Sequence, residues 1–246
     1  MKTINISGPL AFCALTARAW RLFLISLVLF ATRSTKGIKR LSSAERAGIS
    51  ISDDVKEVLV GILLGDAHIS KRSLTANSRL HYGQTTKHKE YFLFVYDIFK
   101  SFCVKQYIPV SRTYLDKRSN ETYYSYHFVT MQLPCFNEYR ELYYNFNKKV
   151  IPVNIYSLLT PKGLAFWIMD DGSRHGEGVH IGTYAFSNED IDKLMFVLQD
   201  KFGLKCSIHY NRENKPRIYI FKESMDKLRL LVSQYFIKEM LYKLGI

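Results

Sequence analysis

Two stretches of the chain are unbroken apolar runs that end in an acidic residue followed by a small one. The first covers residues 59–68 (LVGILLGDAH) and the second covers residues 164–173 (LAFWIMDDGS). A run that is apolar on nearly all sides predicts a buried helix, and its small residues let a second backbone come close. Asp66 and Asp171 hold the same place in the two runs. The pattern therefore predicts two copies of one unit whose buried helices pack together.

The elements predicted downstream of each run follow the same order. After the first run we predict a hairpin around residues 78–84, a helix over 87–101, strands over 107–115 and 122–130, and a helix over 135–146. After the second run we predict a Gly-rich turn over 172–178, a strand over 180–186, a helix over 187–201, strands over 205–210 and 217–221, and helices over 224–231 and 235–244.

Both copies follow the order αββαββα, so the sequence predicts an α+β fold of two pseudo-symmetric repeats. The first repeat is expected over residues 51–152 and the second over residues 153–246. With the two apolar helices at the centre, the antiparallel sheets would form a long saddle with one free face each. Strands of this kind enter the major groove of DNA.

The packing also has a consequence for the two acidic residues. About a pseudo-twofold axis, Asp66 and Asp171 would emerge side by side, and two carboxylates about 5 Å apart repel by roughly 3 kcal/mol at an effective dielectric of about 20. A proton or a divalent cation between them would remove that cost. Oxygen ligands beside a phosphate favour Mg²⁺, for which Mn²⁺ could substitute.

The charge of the chain narrows the class of partner. Thirty-five Lys and Arg against 22 Asp and Glu give a net charge of +13, and the basic residues run through the body of the chain. This favours a nucleic acid over a basic tail or simple solubility as the reason for the charge. The four cysteines form no CxxC pair, which argues against a disulfide scaffold or structural zinc and fits a reducing compartment.

The two runs resemble the paired motifs of the LAGLIDADG homing endonucleases, in the single-chain form and especially its organelle intron-encoded branch. Residues 85–92 (TTKHKEYF), 181–194 (IGTYAFSNEDIDKL) and 240–245 (MLYKLG) extend the resemblance, which covers residues 53–246. It implies a site-specific double-strand DNA endonuclease that acts as a monomer on a long, partly asymmetric duplex site, with no obligate protein partner. The expected compartment is the mitochondrion, with the chloroplast as the alternative.

The resemblance also implies a metal site and the groups around it. It places Asp66 and Asp171 at the family's metal-binding acidic position, with backbone carbonyls near Gly65 and Asp170 as further oxygens. Asp170 itself is expected to close the helix end or to support the ligands.

A basic residue near each scissile phosphate and a water-ordering polar residue complete the implied catalytic set. By position we expect Lys148 or Lys149 in the first repeat, Lys238 in the second, and Gln84 as the water-ordering group. The second repeat departs from the family pattern because Thr183 and Tyr184 stand near the place of Gln84. Equal cutting of the two strands is therefore in doubt.

The candidate DNA contacts are polar residues of the predicted strands and turns. They are Lys71, Arg72, Arg79, His81, Arg112, Lys117, Arg118, Arg174, His180, Arg212, Lys215 and Arg217, together with Asn120, Tyr124, His175, His209 and Asn211. Any one of them could equally lie on an ordinary solvated face. As a group they stand where the predicted fold needs them.

Residues 1–50 differ from the rest of the chain. Residues 19–31 are apolar but include Arg21, and the uncharged part is about half of the roughly 20 residues that a spanning helix needs. A functionally silent extension, a targeting segment and a membrane anchor all stay open, followed by a basic linker over residues 33–46.

Two other functions compete with DNA cleavage. Some members of the resembled family assist splicing of their own intron RNA, so intron RNA is an alternative or additional partner. A DNA-binding regulator without chemistry would be favoured by Asn or Ser at position 66 or 171, and Asp stands at both.

Overall fold

A computed structural model describes residues 40–105, 107–116 and 120–246, and the part from Leu41 onward is one compact unit. The apolar run at residues 19–31 and most of the predicted extension lie outside the described residues. Within the described ranges, no helix is both long and apolar enough to cross a membrane. The three cysteines of these ranges, Cys103, Cys135 and Cys206, are free thiols.

Two buried helices pack against each other in the core. The first motif helix is Asp53–Leu64 and the second motif helix is Pro161–Asp171. Where they cross, a Cβ added to Gly61 would lie 2.3 Å from the carbonyl oxygen of Gly163. Only a glycine at position 61 lets the two backbones come this close, so the prediction of small residues at the helix contact is confirmed there.

The N-terminal ends of the motif helices are tied to each other by side chains. The Thr160 hydroxyl accepts a hydrogen bond from the Gly163 amide at 3.2 Å, which caps the second motif helix. The same hydroxyl donates to the Glu57 carboxylate of the first motif helix, and Lys162 pairs with Asp54 across the contact. These contacts fix the two helices at one end and leave the acidic residues at the other.

Each motif helix leads into a four-stranded antiparallel sheet. The first sheet contains β1 (His68–Lys71), β2 (Ser78–Thr85), β3 (Ser111–Asp116) and β4 (Glu121–Val129) in the order β1-β2-β4-β3. A two-stranded ribbon, β5 (Tyr144–Asn145) and β6 (Lys148–Lys149), follows. The second sheet contains β7 (Gly172–His175), β8 (Gly178–Gly182), β9 (Cys206–Tyr210) and β10 (Pro216–Ile220) in the order β7-β8-β10-β9.

The remaining helices cover one face of each sheet. The α-helices are Ser43–Ala47, Lys89–Phe99, Asn137–Tyr143, Ile155–Leu158, Asn188–Phe196 and Met225–Val232, and Val197–Lys201 continues the fifth of these as a π-helix. Short 3₁₀ turns occupy Thr86–His88, Lys100–Phe102, Pro134–Phe136, Lys222–Ser224, Ser233–Tyr235 and Lys238–Leu244. The two sheets have the same strand order and the same helices between hairpins, so the α+β fold of two αββαββα repeats is confirmed.

The alternation along β2 shows which face of the first sheet is covered. Ser78, Leu80, Tyr82 and Gln84 are buried, and the residues between them are more exposed. The Tyr82 ring stacks on Phe92 of helix Lys89–Phe99 at 6.1 Å. The other face, which carries the intervening residues, is the free face of the sheet.

Several predicted boundaries were wrong. The expected turn over residues 172–178 is a hairpin, with the bend at Gly176 (φ +58°) between β7 and β8. The strand predicted over 180–186 ends at Gly182, because Thr183 begins a turn in which its carbonyl accepts from the Phe186 amide at 3.1 Å. The strand predicted from residue 107 begins only at Ser111, and the last helix, predicted over residues 235–244, is the 3₁₀ segment Lys238–Leu244.

Candidate active site at the ends of the motif helices

The C-terminal ends of the two motif helices are joined by Asp170. Its carboxylate accepts the Asp66 amide at 3.0 Å and the Tyr82 hydroxyl at 2.9 Å. Gly65 holds the matching place in the first repeat, where an added Cβ would lie 2.4 Å from the Asp170 carboxylate. Asp170 is buried with its oxygens already bonded, so in this structure it closes the contact between the helices.

Asp66 and Asp171 lie beside this buried group. Solvent reaches the Asp66 side chain, and Asp171 is half-buried. The Gln84 amide nitrogen lies 2.5 Å from an Asp66 carboxylate oxygen and 3.2 Å from the Tyr82 hydroxyl. Strand β2 thus holds the Gln84 side chain against Asp66.

Gln84 is contacted from its other end by His88. The Gln84 amide oxygen lies 3.3 Å from Nδ1 of His88, and Nε2 of the same ring lies 3.4 Å from the Tyr242 hydroxyl. This chain of polar groups joins the first half of the site to the C-terminal segment of the second repeat.

Two lysines, the half-buried Lys149 and the buried Lys243, bind the carbonyls at the helix ends. Lys149 Nζ donates to the carbonyl oxygens of Gly65 at 3.1 Å and Ala67 at 2.9 Å. Lys243 Nζ donates to the carbonyl oxygens of Asp170 at 3.0 Å and of Met169. A cation at the C-terminal end of a helix is stabilised by the helix dipole. The two repeats therefore place one lysine each at equivalent points.

The positions of these lysines select Lys149 from the predicted pair and replace the predicted Lys238 by Lys243. Of the pair Lys148 and Lys149, the structure brings Lys149 to the site and leaves Lys148 exposed. In the second repeat Lys238 is exposed, and Lys243 is the lysine at the helix end. Five residues of a 3₁₀ turn, at about three residues per turn, place positions 238 and 243 on different sides.

The pKa values of the acidic residues and lysines at the site are shifted by burial and by neighbouring charges. Burial raises the pKa of Asp66 and raises that of Asp170 well above its ordinary range. Burial, and next the charge of Asp66, raise the pKa of Asp171 to about 7. Burial lowers the pKa of Lys149 to about 8 and also lowers that of Lys243, against the pull of the carboxylates. Ionising the acidic cluster is therefore costly without further positive charge.

The donor set determines what ion could bind. In the ranges that the structure describes, no group of three or more His, Cys, Asp or Glu side chains could hold a metal ion. Asp66 and Asp171 supply two carboxylates, and the other oxygens would come from the backbone, water or a phosphate. Mg²⁺ is often bound in this way, through one or two carboxylates and the oxygens of a substrate phosphate. The residues fit a hard divalent cation completed by a nucleic acid.

The second half of the site lacks a counterpart of Gln84. The registers β1–β2 and β7–β8 make His180 equivalent to His81, so Thr183 is equivalent to Gln84. Thr183 is buried, and its hydroxyl donates to the Pro216 carbonyl at 2.9 Å. Among the described residues, no side chain donates a hydrogen bond to the Asp171 carboxylate.

The sheet registers place the predicted DNA contacts in three groups. The free faces carry Arg79, His81, Arg112, His175, His180, His209 and Arg217. The turns or strand ends carry Lys71, Arg72, Asn120, Asn211, Arg212 and Lys215, and Lys117 and Arg118 lie outside the described residues.

Arg174 and Tyr124 do not lie on the free faces. Arg174 pairs with the buried Val179 in β8, so it belongs to the helix-covered face, where its Nε donates to the Gly176 carbonyl at 3.3 Å. Tyr124 alternates with the free-face positions of β4. Both positions follow from the registers, because successive side chains of a strand point to opposite faces of the sheet.

The sequence analysis missed three polar residues of the site: Tyr82, His88 and Lys243. Tyr82 could have been found, because it is two residues from Gln84 on an alternating strand and must share its face. Lys243 lies in the segment MLYKLG, which already carried the resemblance. His88 likewise lies in the segment TTKHKEYF, which also carried the resemblance.

A duplicated αββαββα unit, with paired carboxylates and paired lysines between two basic sheets, defines a class of two-motif proteins that act on nucleic acid. A sequence profile described as the LAGLIDADG DNA endonuclease family matches residues 56–228, and the chain belongs to this family.

Individual relatives are similar over most of this chain. The cytochrome b mRNA maturase bI2 of Saccharomyces cerevisiae is 34% identical over 78% of the chain, and the chain spans 47% of the maturase. A probable intron-encoded endonuclease of Wickerhamomyces canadensis is 28% identical over 84% of the chain and 90% of that protein. The solved structure of the homing endonuclease I-WcaI bound to its DNA recognition sequence has a TM-score of 0.76 at 25% identity, covering 85% of this chain and 95% of that one.

Proposed function

We propose that the protein is an intron homing endonuclease, a monomer that cuts both strands of a specific DNA site with the help of a divalent cation. The observation that carries the proposal is the pairing at the helix ends. Asp66 and Asp171 are close enough for the charge of Asp66 to raise the pKa of Asp171, a lysine binds the carbonyls at each helix end, and both halves of the site come from one chain. The similarity to a DNA-bound homing endonuclease supports DNA as the partner.

The residues at the site have distinct tasks in this proposal. Asp66 and Asp171 would hold Mg²⁺ or Mn²⁺, together with oxygens near Gly65 and Asp170. A bound divalent ion activates water and stabilises the leaving oxygen of a phosphodiester. The Gln84 amide, held against Asp66, orients the attacking water on one strand. Lys149 and Lys243 place positive charge where the phosphate gains negative charge in the transition state.

The test compares cleavage with binding. Plasmid carrying the intronless host gene should be linearised in Mg²⁺ and left intact in EDTA. Asp66→Asn and Asp171→Asn should each abolish double-strand cleavage and keep specific DNA affinity within about tenfold, because the sheets and not the acids supply most of the contact with DNA. Unchanged cutting by either variant would show that the metal site is wrongly assigned.

A second function, assistance of intron RNA splicing, is favoured by two relatives. Cytochrome b mRNA maturases of Saccharomyces cerevisiae and Debaryomyces hansenii are 34% and 31% identical to this chain. Because these two relatives act on cytochrome b mRNA, their similarity also favours a mitochondrial location for this protein. Splicing of the host intron in vitro by the Asp66→Asn variant would separate this activity from cleavage, and no stimulation by wild-type protein would exclude it.

A further inference from the structure

The free face of the second sheet carries a layer of packed rings. The layer consists of His175, His180, His209 and Tyr219, with ring centroids 4.3 Å apart for His175 and His180 and 4.6 Å apart for His209 and Tyr219. His180 Nε2 lies 3.1 Å from His209 Nδ1, and His180 is only 2% exposed. Because the rings already support one another, this ring layer is formed before any ligand binds.

Arg217 lies at the edge of the ring layer without a protein partner. It is opposite His209 in β9 and opposite Gly182 in β8. Its Nε is buried and unbonded, and in the part of the chain that the structure describes the guanidinium makes no hydrogen bond or ion pair. A buried charged donor is costly when it is left unpaired, so the arrangement favours an acceptor that arrives with a ligand.

Two other basic residues near the free faces are already engaged. Arg79 Nε donates to the Ser70 hydroxyl at 3.4 Å, and Lys215 pairs with Glu213 at 2.7 Å. Burial lowers the pKa of His180 to about 4, so the ring beside Arg217 carries no charge at neutral pH. Among the described residues, Arg217 is thus an unpaired cation that lies close to the neutral His180 ring.

The equivalent position in the first sheet is arranged differently. His127 stands there, opposite Gly83, with its Nε2 2.7 Å from the Ser125 hydroxyl. A Cβ added to Gly83 would lie 2.2 Å from the His127 ring, so that ring covers the glycine. A Cβ added to Gly182 would instead lie 3.5 Å from the Tyr184 ring and 3.8 Å from Cβ of Asp171, which are ordinary van der Waals distances. Gly182, next to the second acidic residue, is therefore covered less closely than Gly83.

We propose that Arg217 recognises one guanine in the major groove of the target DNA, through two donors of its guanidinium to guanine O6 and N7. The planar fork of an arginine matches these two acceptors, and this pairing is the commonest specific contact in the major groove. The ring layer acts as a rigid support that sets the position of the fork. The inference rests on the proposed function, because it needs duplex DNA on this face.

The test is a binding selection from a library of duplexes, carried out in Ca²⁺ so that cleavage does not interfere. Wild-type protein should enrich a guanine at one position of the half-site bound by the second sheet. Arg217→Gln should reduce that preference about tenfold or more, with the other positions unchanged. Arg217→Lys keeps the charge but not the planar fork, so it should keep only part of the preference.

The exposed Arg212 in the turn before β10 provides the matched control. Arg212→Gln should weaken binding to all sequences alike and leave the guanine preference intact. If the Arg217 variants keep the wild-type profile, the inference is overturned while the proposed function stands. If wild-type protein enriches no sequence at all, the proposed function fails and the inference with it.

A modified base makes the test independent of how well the variants fold. Replacing the selected guanine by 7-deazaguanine removes the N7 acceptor and should weaken wild-type binding about tenfold. The same replacement should not weaken binding by Arg217→Gln any further. Unchanged wild-type affinity for the 7-deazaguanine duplex would overturn the inference even if every variant at position 217 misfolded.

Discussion

The C-terminal ends of the two motif helices have the same backbone arrangement, and each is bound by its own lysine. They differ in the groups that contact the acidic residue. In the first half Gln84 lies 2.5 Å from the Asp66 carboxylate, whereas in the second half the equivalent Thr183 bonds the Pro216 carbonyl. Duplication has kept the sheet order and the charge at the helix end, and it has not kept the polar group that contacts the acid. We therefore expect the two DNA strands to be cut at unequal rates, with a nicked intermediate.

The largest effect is expected where the two motif helices touch. An added Cβ at Gly61 would lie 2.3 Å from the Gly163 oxygen, but one at Gly163 would lie 3.1 Å from the Glu57 oxygen. Gly61→Ala should lower the unfolding free energy by about 3 kcal/mol. Gly163→Ala should cost about 1 kcal/mol or less, because alanine also gains helix propensity of about 1 kcal/mol. Urea titrations of both variants measure the difference, and equal losses would contradict this packing.

Substitutions of Lys149 and Lys243 should separate the contributions of the two halves of the site to strand cutting. Lys149→Met and Lys243→Met should each slow the cutting of a different strand about 100-fold, since each removes one transition-state cation. Lys238→Met is the control and should change neither rate. Duplexes labelled on one strand at a time provide the measurement. Equal slowing of both strands by Lys243→Met would count against its assignment to one half.

The stability of the protein should depend on pH through the ionisation of Asp171. The pKa of Asp171 is raised from 3.8 to about 7 in the folded protein, so the folded state binds the extra proton between these values. Stability of the metal-free protein should be greatest below about pH 4 as far as this group is concerned, and should fall as the pH rises to about 7. Allowing for partial solvation, the loss is about 2 kcal/mol. Denaturation series from pH 4 to 8 should show a flatter curve for Asp171→Asn, and an unchanged curve would refute the linkage.

The smallest effect is expected at Gln84 and Thr183, the equivalent residues that differ between the two halves of the site. Gln84→Ala should slow one strand about tenfold and leave the other unchanged, as is usual for a group that supports a metal ligand. Thr183→Val should cost about 1 kcal/mol of stability by leaving the Pro216 carbonyl unpaired, with no change in the ratio of the strand rates. Strand-specific rates of both variants decide the point. A change in that ratio for Thr183→Val would mean that the threonine also acts on the chemistry.

Much of the fold could be predicted because its signals are local and occur twice. The apolar runs, the strands around short turns and the alignment of Gln84 with Thr183 all follow from periodicity within one repeat. The resemblance supplied the family, which the matching profile confirms. The acidic pair could be proposed because it ends two runs in the same way, and its role as a metal site stays a prediction.

The parts that failed depend on rotation and register, which composition does not reveal. Lys238 and Lys243 are both lysines of one short segment, and only the 3₁₀ winding decides which one turns inward. The face of Arg174 could not be predicted because β7 was taken as a turn. Asp170 was expected to close the helix end or to support the ligands, but its partners could not be predicted, since the contact joins the two repeats across their interface.

That contact also limits how the gene can be rearranged. Asp170 of the second repeat fits against Gly65 of the first, so the helix interface is not self-complementary. A protein made of two first repeats would lack the carboxylate that accepts the Asp66 amide, and one made of two second repeats would press two buried carboxylates together. Recombination between relatives must therefore keep the two motif helices as a pair, together with β2, whose Tyr82 also bonds Asp170.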